Sequence, residues 1–415
     1  MNTFLYPRFV EKSLHEALQD TPVVLIHGSR QSGKTTLAQS VGEQLGFHYI
    51  SFDDDNQLQA AKADPVGFVQ SLPEKTTLDE IQRIPELFTA IKISVDKNRI
   101  PGRFILTGSA NVLLLPQLSD SLAGRMEIIQ LRPLAQAEMA GEEPVFLQAL
   151  FDSDFSSKLE TNNHLFLGET LADLLCRGGY PAAVARGAPK RRSIWYRDYL
   201  ATIIQRDVQD IANIRNLDIL PKLLSVAASQ TARLFVAADL AAPFSISRPT
   251  TREYLALLEQ IFLIEQLQPW YSNRLSRLIK TPKMHMADTG LASALLNVNR
   301  QALWQDKTLL GQLLETFIYQ ELRKYADWHD EPLKFFHFRN KDKVEVDIII
   351  AQGMKMAGIE VKASATVTGS DFKGLKKLKE ACGKQFSAGI VFYDGENILP
   401  FGDKLFAVPI SLIAV

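Results

Sequence analysis

Cysteine is almost missing from this chain: 415 residues contain only Cys176 and Cys382. Two thiols so far apart give neither a disulfide framework nor metal-ligand spacing, so a reducing compartment is expected. An excess of one charge is also lacking, since 46 Lys and Arg face 47 Asp and Glu for a net charge of -1. Overall electrostatics therefore announce no nucleic-acid partner, although a local basic patch could still serve one. No apolar run reaches bilayer length, and the opening MNTFLYPRFVEKSL has no apolar core followed by small residues. The expectation is a soluble cytoplasmic protein with no membrane partner. Internal repeats and low-complexity tracts are absent as well. What remains, 46% hydrophobic and 22% charged residues, describes an ordinary folded protein long enough for two or three domains.

The most informative stretch is GSRQSGKTT, which fits the phosphate-binding pattern G-x-x-x-x-G-K-[ST]. The apolar run Val23 to Ile26 precedes it and the helical pattern TTLAQSVGEQL follows, so the context is strand, loop, helix. Gly28, Ser29, Arg30, Gln31, Ser32, Gly33, Lys34, Thr35 and Thr36 are the candidate nucleotide-binding residues. Gly28 and Gly33 let the backbone fold tightly, Lys34 reaches the terminal phosphates, and Thr35 supplies a hydroxyl for Mg²⁺.

A second motif, TTLDE, delivers Asp79 and Glu80 at the carboxyl end of a strand, where ligands of open α/β sheets collect. Asp79 is expected to hold Mg²⁺ and Glu80 to polarise the attacking water. A third apolar run ends in Thr107, Ser109 and Asn111, any of which could touch the γ-phosphate or simply cap a turn. Arg125, in SLAGR, could contact phosphate in its own subunit or a neighbour's, or be a solvated surface residue.

Strands and helices alternate from about Pro22 to Pro133, implying an α/β domain with a mainly parallel sheet. Polar, irregular sequence between Ala140 and Leu171 suggests a hinge. From Arg186 a basic helical stretch carries Trp195, Tyr196 and Tyr199 and could lie along phosphates, on a neighbouring ATPase subunit, or be an amphipathic helix with a solvated face. Three helical patterns and a strand pair, Phe262 to Tyr271 and Leu278 to Met286, then describe a winged helix. Its third helix could enter a major groove through Thr250, Thr251 and Arg252, or serve as a plain protein contact.

Near the end, GQLLETF begins a helix carrying Glu315, and the strands VEVDIII and GIEVK carry Asp347, Glu360 and Lys362. A carboxylate pair of this kind can bind Mg²⁺ while a neighbouring Lys orients water, as phosphodiester hydrolysis requires. Alternating exposed charges on edge strands are the other reading.

With GSRQSGKTT, LDEIQ, ILTGSAN, SLAGR, RGGYP, DTGLA, GQLLETF, EVDIII and GIEVKAS in place, the whole chain resembles the prokaryotic AAA-type ATPases of the archaeal ATPase and STAND-related branch that carry a C-terminal domain of uncharacterised function. The resemblance implies ATP and Mg²⁺ as cofactors, ATP binding by Gly28 to Thr36, Mg²⁺ and water handling by Asp79 and Glu80, and a sensor near Thr107 to Asn111; the residue reading adds Lys34, Glu80 and Arg125 as candidate catalytic residues, Asn111 as a nucleotide contact, and Thr35 and Asp79 as metal ligands. The resemblance also implies a C-terminal part similar to PD-(D/E)XK nucleases, with Glu315, Asp347 and Glu360 as metal ligands and Asp347, Glu360 and Lys362 as catalytic residues.

The expected division is a P-loop domain over 1–140, a helical linker and lid over 141–215, a winged-helix-like domain over 216–290 and a restriction-endonuclease-like α/β domain over 291–415. The expected function is an ATPase acting on DNA through a nuclease-like domain, with homo-oligomerisation possible. Two alternatives are an ATP-dependent signalling or assembly switch with a non-catalytic docking module, and a toxin or defence nuclease restrained by its ATPase part.

Overall fold

The computed structural model describes residues 6–109, 122–152, 155, 159, 165–211, 218–236, 240–241, 244, 246–270, 281–340, 342 and 344–414. Two compact units result, the first formed by Met1–Leu134, Gln205–Ile214 and Gln260–Phe262 and the second by the remainder.

In the first unit, β1 (Val23–His27), β2 (His48–Ser51), β3 (Thr76–Asp79), β4 (Phe104–Gly108) and β5 (Met126–Gln130) form one sheet in the order β2-β3-β4-β1-β5. Every neighbouring pair runs parallel. Helices cover both faces of the central strands, which is why β1 and β4 are buried at every residue and read as largely apolar runs. Val23 and Leu25 join Leu78, Phe104 and Leu106 in one core, together with Phe88 and Ile91 of the helix Leu87–Lys97. Val24 and Ile26 join Ile105 and Ile129 in the other, with Leu14 of the helix Glu11–Asp20 and Leu37 and Val41 of the helix Lys34–Leu45. Strand alternation thus feeds two cores from one run. Because β4 lies between β1 and β3, its carboxyl end sits between the glycine-rich loop and the acidic pair.

The second unit holds two further sheets. Strands β6 (Arg233–Leu234), β7 (Ile264–Leu267) and β8 (Lys283–Met286) pair antiparallel in the order β6-β8-β7; β6 follows the helix Ile219–Ser229 in the chain, and β7 and β8 follow the helix Arg248–Gln260. Strands β9 (Leu333–Arg339), β10 (Glu345–Gln352), β11 (Lys355–Val361), β12 (Phe386–Tyr393), β13 (Leu399–Gly402) and β14 (Leu405–Pro409) form a mixed sheet ordered β13-β14-β12-β11-β10-β9. Here β11, β12 and β14 are parallel neighbours and the remaining pairs antiparallel.

Several expectations change at this level. The expected hinge contributes Phe146 and Phe155 to the second unit's interior, with ring centroids 5.1 Å from Phe392 and Phe406 respectively. Apart from Gln205–Ile214 and Gln260–Phe262, the expected linker, winged-helix-like and C-terminal segments share this unit, where buried polar groups tie them together. Asp288 of DTGLA accepts hydrogen bonds from the N–H groups of Gly179 (2.7 Å) and Leu291 (2.9 Å), and the Thr231 and Thr316 hydroxyls pair at 2.8 Å. At Gly178 a Cβ would lie 2.4 Å from Asp288 Oδ1 on a backbone with φ of 66°, so only glycine fits there. The motifs RGGYP and DTGLA are therefore packing elements.

Two of the aromatic residues of the helix Pro189–Ile211 are equally internal. Tyr196 and Tyr199 are buried against Tyr180, and the Trp195 ring stacks 5.0 Å from Tyr199. Tyr196 and Tyr199 are thereby unavailable to stack on bases, Trp195 is half-buried, and the exposed face carries Lys190, Arg191 and Arg197. Among the described residues, no helix is long and apolar enough to cross a membrane.

Candidate functional site

Five elements converge at the carboxyl edge of the parallel sheet. The loop after β1 turns through Gln31 (φ 59°) and Gly33 (φ 102°) into the helix Lys34–Leu45. A Cβ on Gly28 would lie 2.1 Å from the Leu131 carbonyl oxygen, so that glycine is required by close approach of the strand-β5 exit. Arg8 fixes the loop from behind, donating to the carbonyls of Ser32 and Arg132, each at 2.7 Å. Lys34 is buried and its ammonium donates to the carbonyls of Gly28 (3.0 Å) and Ser29 (2.8 Å). Its charge is thereby held over the concave side of the loop, where backbone N–H groups and the helix N-terminus favour an anion.

Asp79, at the end of β3, is the hub. Its carboxylate accepts from the Thr35 hydroxyl (3.0 and 3.2 Å), from the Tyr49 hydroxyl (2.8 Å) and from the Thr107 hydroxyl (2.5 Å). Burial and the adjacent Asp79 push the Tyr49 phenol up to about 12, so it stays a donor. A hydroxyl and a carboxylate in contact make an all-oxygen donor set that suits Mg²⁺.

Glu80 follows in a left-handed conformation (φ 59°), and its N–H donates to Thr107 Oγ1 at 3.0 Å. Its carboxylate accepts from the Gln82 side-chain amide at 2.5 Å, and the same nitrogen donates to the Ser109 hydroxyl at 3.0 Å. Backbone strain of this type, about 1 kcal/mol or more, persists where surrounding bonds over-determine it.

Of the residues expected here, Gly28 to Thr36, Asp79, Glu80, Thr107 and Ser109 share one region. Asn111 lies outside the described residues. Arg125 is a correction. It precedes β5, and Val23, the first residue of β1, is paired with Met126, so Arg125 occupies the amino edge of the sheet, opposite the phosphate loop. There it binds Asp96 Oδ1 at 2.5 Å and the Ala123 carbonyl at 3.1 Å. Five strand residues at roughly 3.3 Å each separate it from the loop, which removes the contact within its own subunit. Sequence reasoning missed Arg8, Tyr49 and Gln82, whose roles depend on partners distant in the chain. A tyrosine inside a strand beside the acidic strand was the one available signal.

His27 closes β1, is 6% exposed and faces the Phe262 ring at 4.8 Å. Burial, with Lys34 nearby, lowers its pKa to about 4. A histidine depressed in the fold stabilises above its unfolded value near 6.5 and loses that contribution as pH falls towards the folded value. At pH 5 the penalty is about 2 kcal/mol. Thermal unfolding of wild type and His27→Gln should therefore diverge by about that amount between pH 7 and pH 5. Parallel curves would show that His27 carries no such charge penalty.

The second constellation lies within the second unit. Glu315 projects from the helix Lys307–Ala326, Asp347 from β10, Glu360 from β11, and Lys362 follows that strand. A register shift between Val346 and Ile349 re-aims Asp347, and its Oδ2 accepts from the Val361 N–H at 3.1 Å. The structure does bring these groups together, but with a cation that sequence reasoning overlooked. Lys283 of β8, its side chain 3% exposed, donates to Glu315 Oε1 at 2.8 Å and Asp347 Oδ1 at 3.0 Å. Lys362, 37% exposed, stands 3.7 Å from Glu360 Oε2.

Despite the opposing effect of burial, Asp347 and Glu315 hold Lys283 above its ordinary range, and Lys283 in turn holds Asp347 below its own. Burial and Asp347 push Glu315 up to about 8 and Glu360 well above the usual carboxylate range. The metal assignment to Glu315, Asp347 and Glu360 is thereby corrected: an ammonium sits between the first two. Among the described residues, no group of three or more acidic, His or Cys side chains is arranged to hold a metal ion. A lysine at the start of the fully buried strand KMHM was the signal that could have revealed it.

The third-helix residues also differ from expectation. Thr251 is buried and bonds the Ser247 carbonyl, and Thr250 pairs with the Ser247 hydroxyl at 2.8 Å, leaving Arg248 and Arg252 as the exposed basic residues there.

Comparison with known proteins divides along the same lines. Residues 20–140 match the family model described as an AAA domain. Residues 168–302 and 310–413 match two domains of unknown function, DUF8612 and DUF4143. The uncharacterized proteins Rv2008c of Mycobacterium tuberculosis and Mb2031c of Mycobacterium bovis are each 28% identical over 403 residues, covering 96% of this chain and 82% of theirs. Among solved structures, a Walker-type ATPase of Pyrococcus abyssi is 16% identical with a TM-score of 0.43, covering 71% of this chain and 99% of its own. The RuvB Holliday junction branch migration motor of Thermotoga maritima is 21% identical with a TM-score of 0.31, covering 62% and 88%. Both likenesses are too remote to carry a functional argument. The chain is thus similar to AAA-domain proteins over residues 20–140, on a five-stranded parallel sheet with a phosphate-binding loop, and to the two mycobacterial proteins over nearly all of its length.

Proposed function

We propose that this protein binds Mg-ATP at the carboxyl edge of the parallel sheet and hydrolyses it. The observation that carries this proposal is the convergence on the Asp79 carboxylate of the Thr35 and Thr107 hydroxyls, from two other elements and each within 3.2 Å of it, on a sheet edge whose loop carbonyls of Gly28 and Ser29 hold the Lys34 ammonium. Thr35 and Asp79 would hold Mg²⁺, whose charge offsets that of the phosphates. Lys34 binds the terminal phosphates, Glu80 takes the proton of the attacking water, and Gln82 sets the position of the Glu80 carboxylate while sensing Ser109.

We further propose that turnover answers to DNA held by a winged-helix-like segment. Support comes from the antiparallel order β6-β8-β7, whose β7 and β8 follow the helix Arg248–Gln260, and from the exposed Arg248 and Arg252 on that helix. Phosphate release should rise several-fold on adding duplex DNA and fall back in an Arg248→Ala/Arg252→Ala double variant, with the stimulation weakening steeply as salt rises. Turnover indifferent to DNA would favour the alternative, a switch whose nucleotide state governs a protein partner.

A further inference from the structure

We propose that Lys283 is the resident cation of the C-terminal carboxylate cluster: its ammonium takes the position a divalent ion would need between Glu315 and Asp347, so the folded chain accepts no metal there, and removing it creates a divalent-cation site. This inference stands apart from ATP hydrolysis and involves none of the same residues.

The geometry is that of a site already filled. Three carboxyl groups arrive from three elements, the helix Lys307–Ala326, β10 and β11. Both oxygens of Asp347 are in use, Oδ1 with Lys283 and Oδ2 with the Val361 N–H. Glu360 is 5% exposed, and the wall behind it is tight: a Cβ on Gly374 would lie 3.0 Å from Glu360 Oε1 and 1.8 Å from the Glu345 carbonyl oxygen.

Divalent ions bind carboxylate oxygens at roughly 2.0–2.6 Å. An ion between Glu315 and Asp347 would therefore overlap an ammonium 2.8 and 3.0 Å from the same oxygens, and the two like charges would share a water-poor space. Nor can Lys283 swing aside cheaply, because its side chain is 3% exposed and moving it would break both carboxylate bonds. Its strand, β8, is the central one of three and is paired along both edges, with β6 and β7. The two flanking imidazoles fit the same picture. Burial and the nearby Lys283 lower His285 to about 3 and His337 to about 4, so both stay neutral beside a fixed positive charge.

With Lys283 gone, three carboxyl groups would face one another, and among the described residues Lys362, itself partly exposed, is the cation left beside them. Buried charges in that arrangement recruit a cation.

Nucleotide-free full-length protein is titrated with Mn²⁺ while the free-ion electron paramagnetic resonance signal is followed. Wild type and Asp347→Asn should give the same curve, since any ion near Thr35 and Asp79 contributes equally to both. A saturable wild-type site that Asp347→Asn abolishes overturns the proposal. Lys283→Ala should gain one site at least tenfold tighter than any background, absent from Lys283→Ala/Asp347→Asn; a folded Lys283→Ala that gains nothing also overturns it. Where removal of the lysine prevents folding, the wild-type comparison decides alone. Glu360→Gln, which preserves the shape of a protonated carboxyl, replaces Asp347→Asn if that variant is unstable.

Discussion

Glu80→Gln is expected to retain nucleotide binding within a few-fold of wild type while phosphate release falls by about 10² to 10⁴, the usual worth of a positioned general base. The substitution keeps side-chain length, and the amide oxygen can still accept the Gln82 bond now made at 2.5 Å. Position is thus conserved while proton affinity is lost. The left-handed backbone at Glu80 belongs to the residue's placement, since its N–H reaches the same Thr107 hydroxyl that donates to Asp79. Steady-state phosphate release alongside a nucleotide titration reads the two effects separately. Loss of both together would indicate that Glu80 supports the site rather than the chemistry, and undiminished release would remove it from the reaction altogether.

Lys34→Ala should weaken ATP binding by about a hundredfold or more. Each charge-assisted bond to phosphate is worth roughly 1.5–3 kcal/mol, and this ammonium is positioned to make more than one. The same change removes bonds to the Gly28 and Ser29 carbonyls, so part of any effect could come from a relaxed loop. The unfolding midpoint without nucleotide separates the contributions: a small midpoint shift with a large affinity loss assigns the effect to phosphate. Affinity retained in a folded Lys34→Ala would show that the loop's backbone N–H groups suffice.

How much of this could be read along the chain follows from where each partner sits. The loop Gly28 to Thr35 and the pair Asp79 and Glu80 were legible because strand, loop and functional residue are covalent neighbours in each. The parallel sheet was legible because its central strands β1 and β4, buried on both faces, lose the alternation of a half-exposed strand. Tyr49, Gln82 and Arg8 were not, since each acts on a partner that only the order β2-β3-β4-β1-β5 brings near. Arg125 shows the opposite error: in a parallel sheet a residue before a strand lies at the edge away from the ligand, and strand direction outweighs the suitability of a guanidinium.

At the C-terminal cluster, spacing correctly joined Asp347, Glu360 and Lys362 with Glu315, but could not supply the charge that balances them. Lys283 comes from a different sheet, and its partners are 32 and 64 residues away. Thr251 was misassigned because a helix start leaves its phase open: one residue's rotation turns a groove-facing side chain into a buried one.

The central claim is that the carboxyl edge of the five-stranded sheet takes up Mg-ATP. A calorimetric titration of Mg-ATP into the purified full-length chain tests it most directly. One saturable site is expected for wild type, at least a hundredfold weaker in Lys34→Ala and dependent on Mg²⁺ through Asp79. A flat wild-type titration, with folded protein and with or without DNA, would contradict the account.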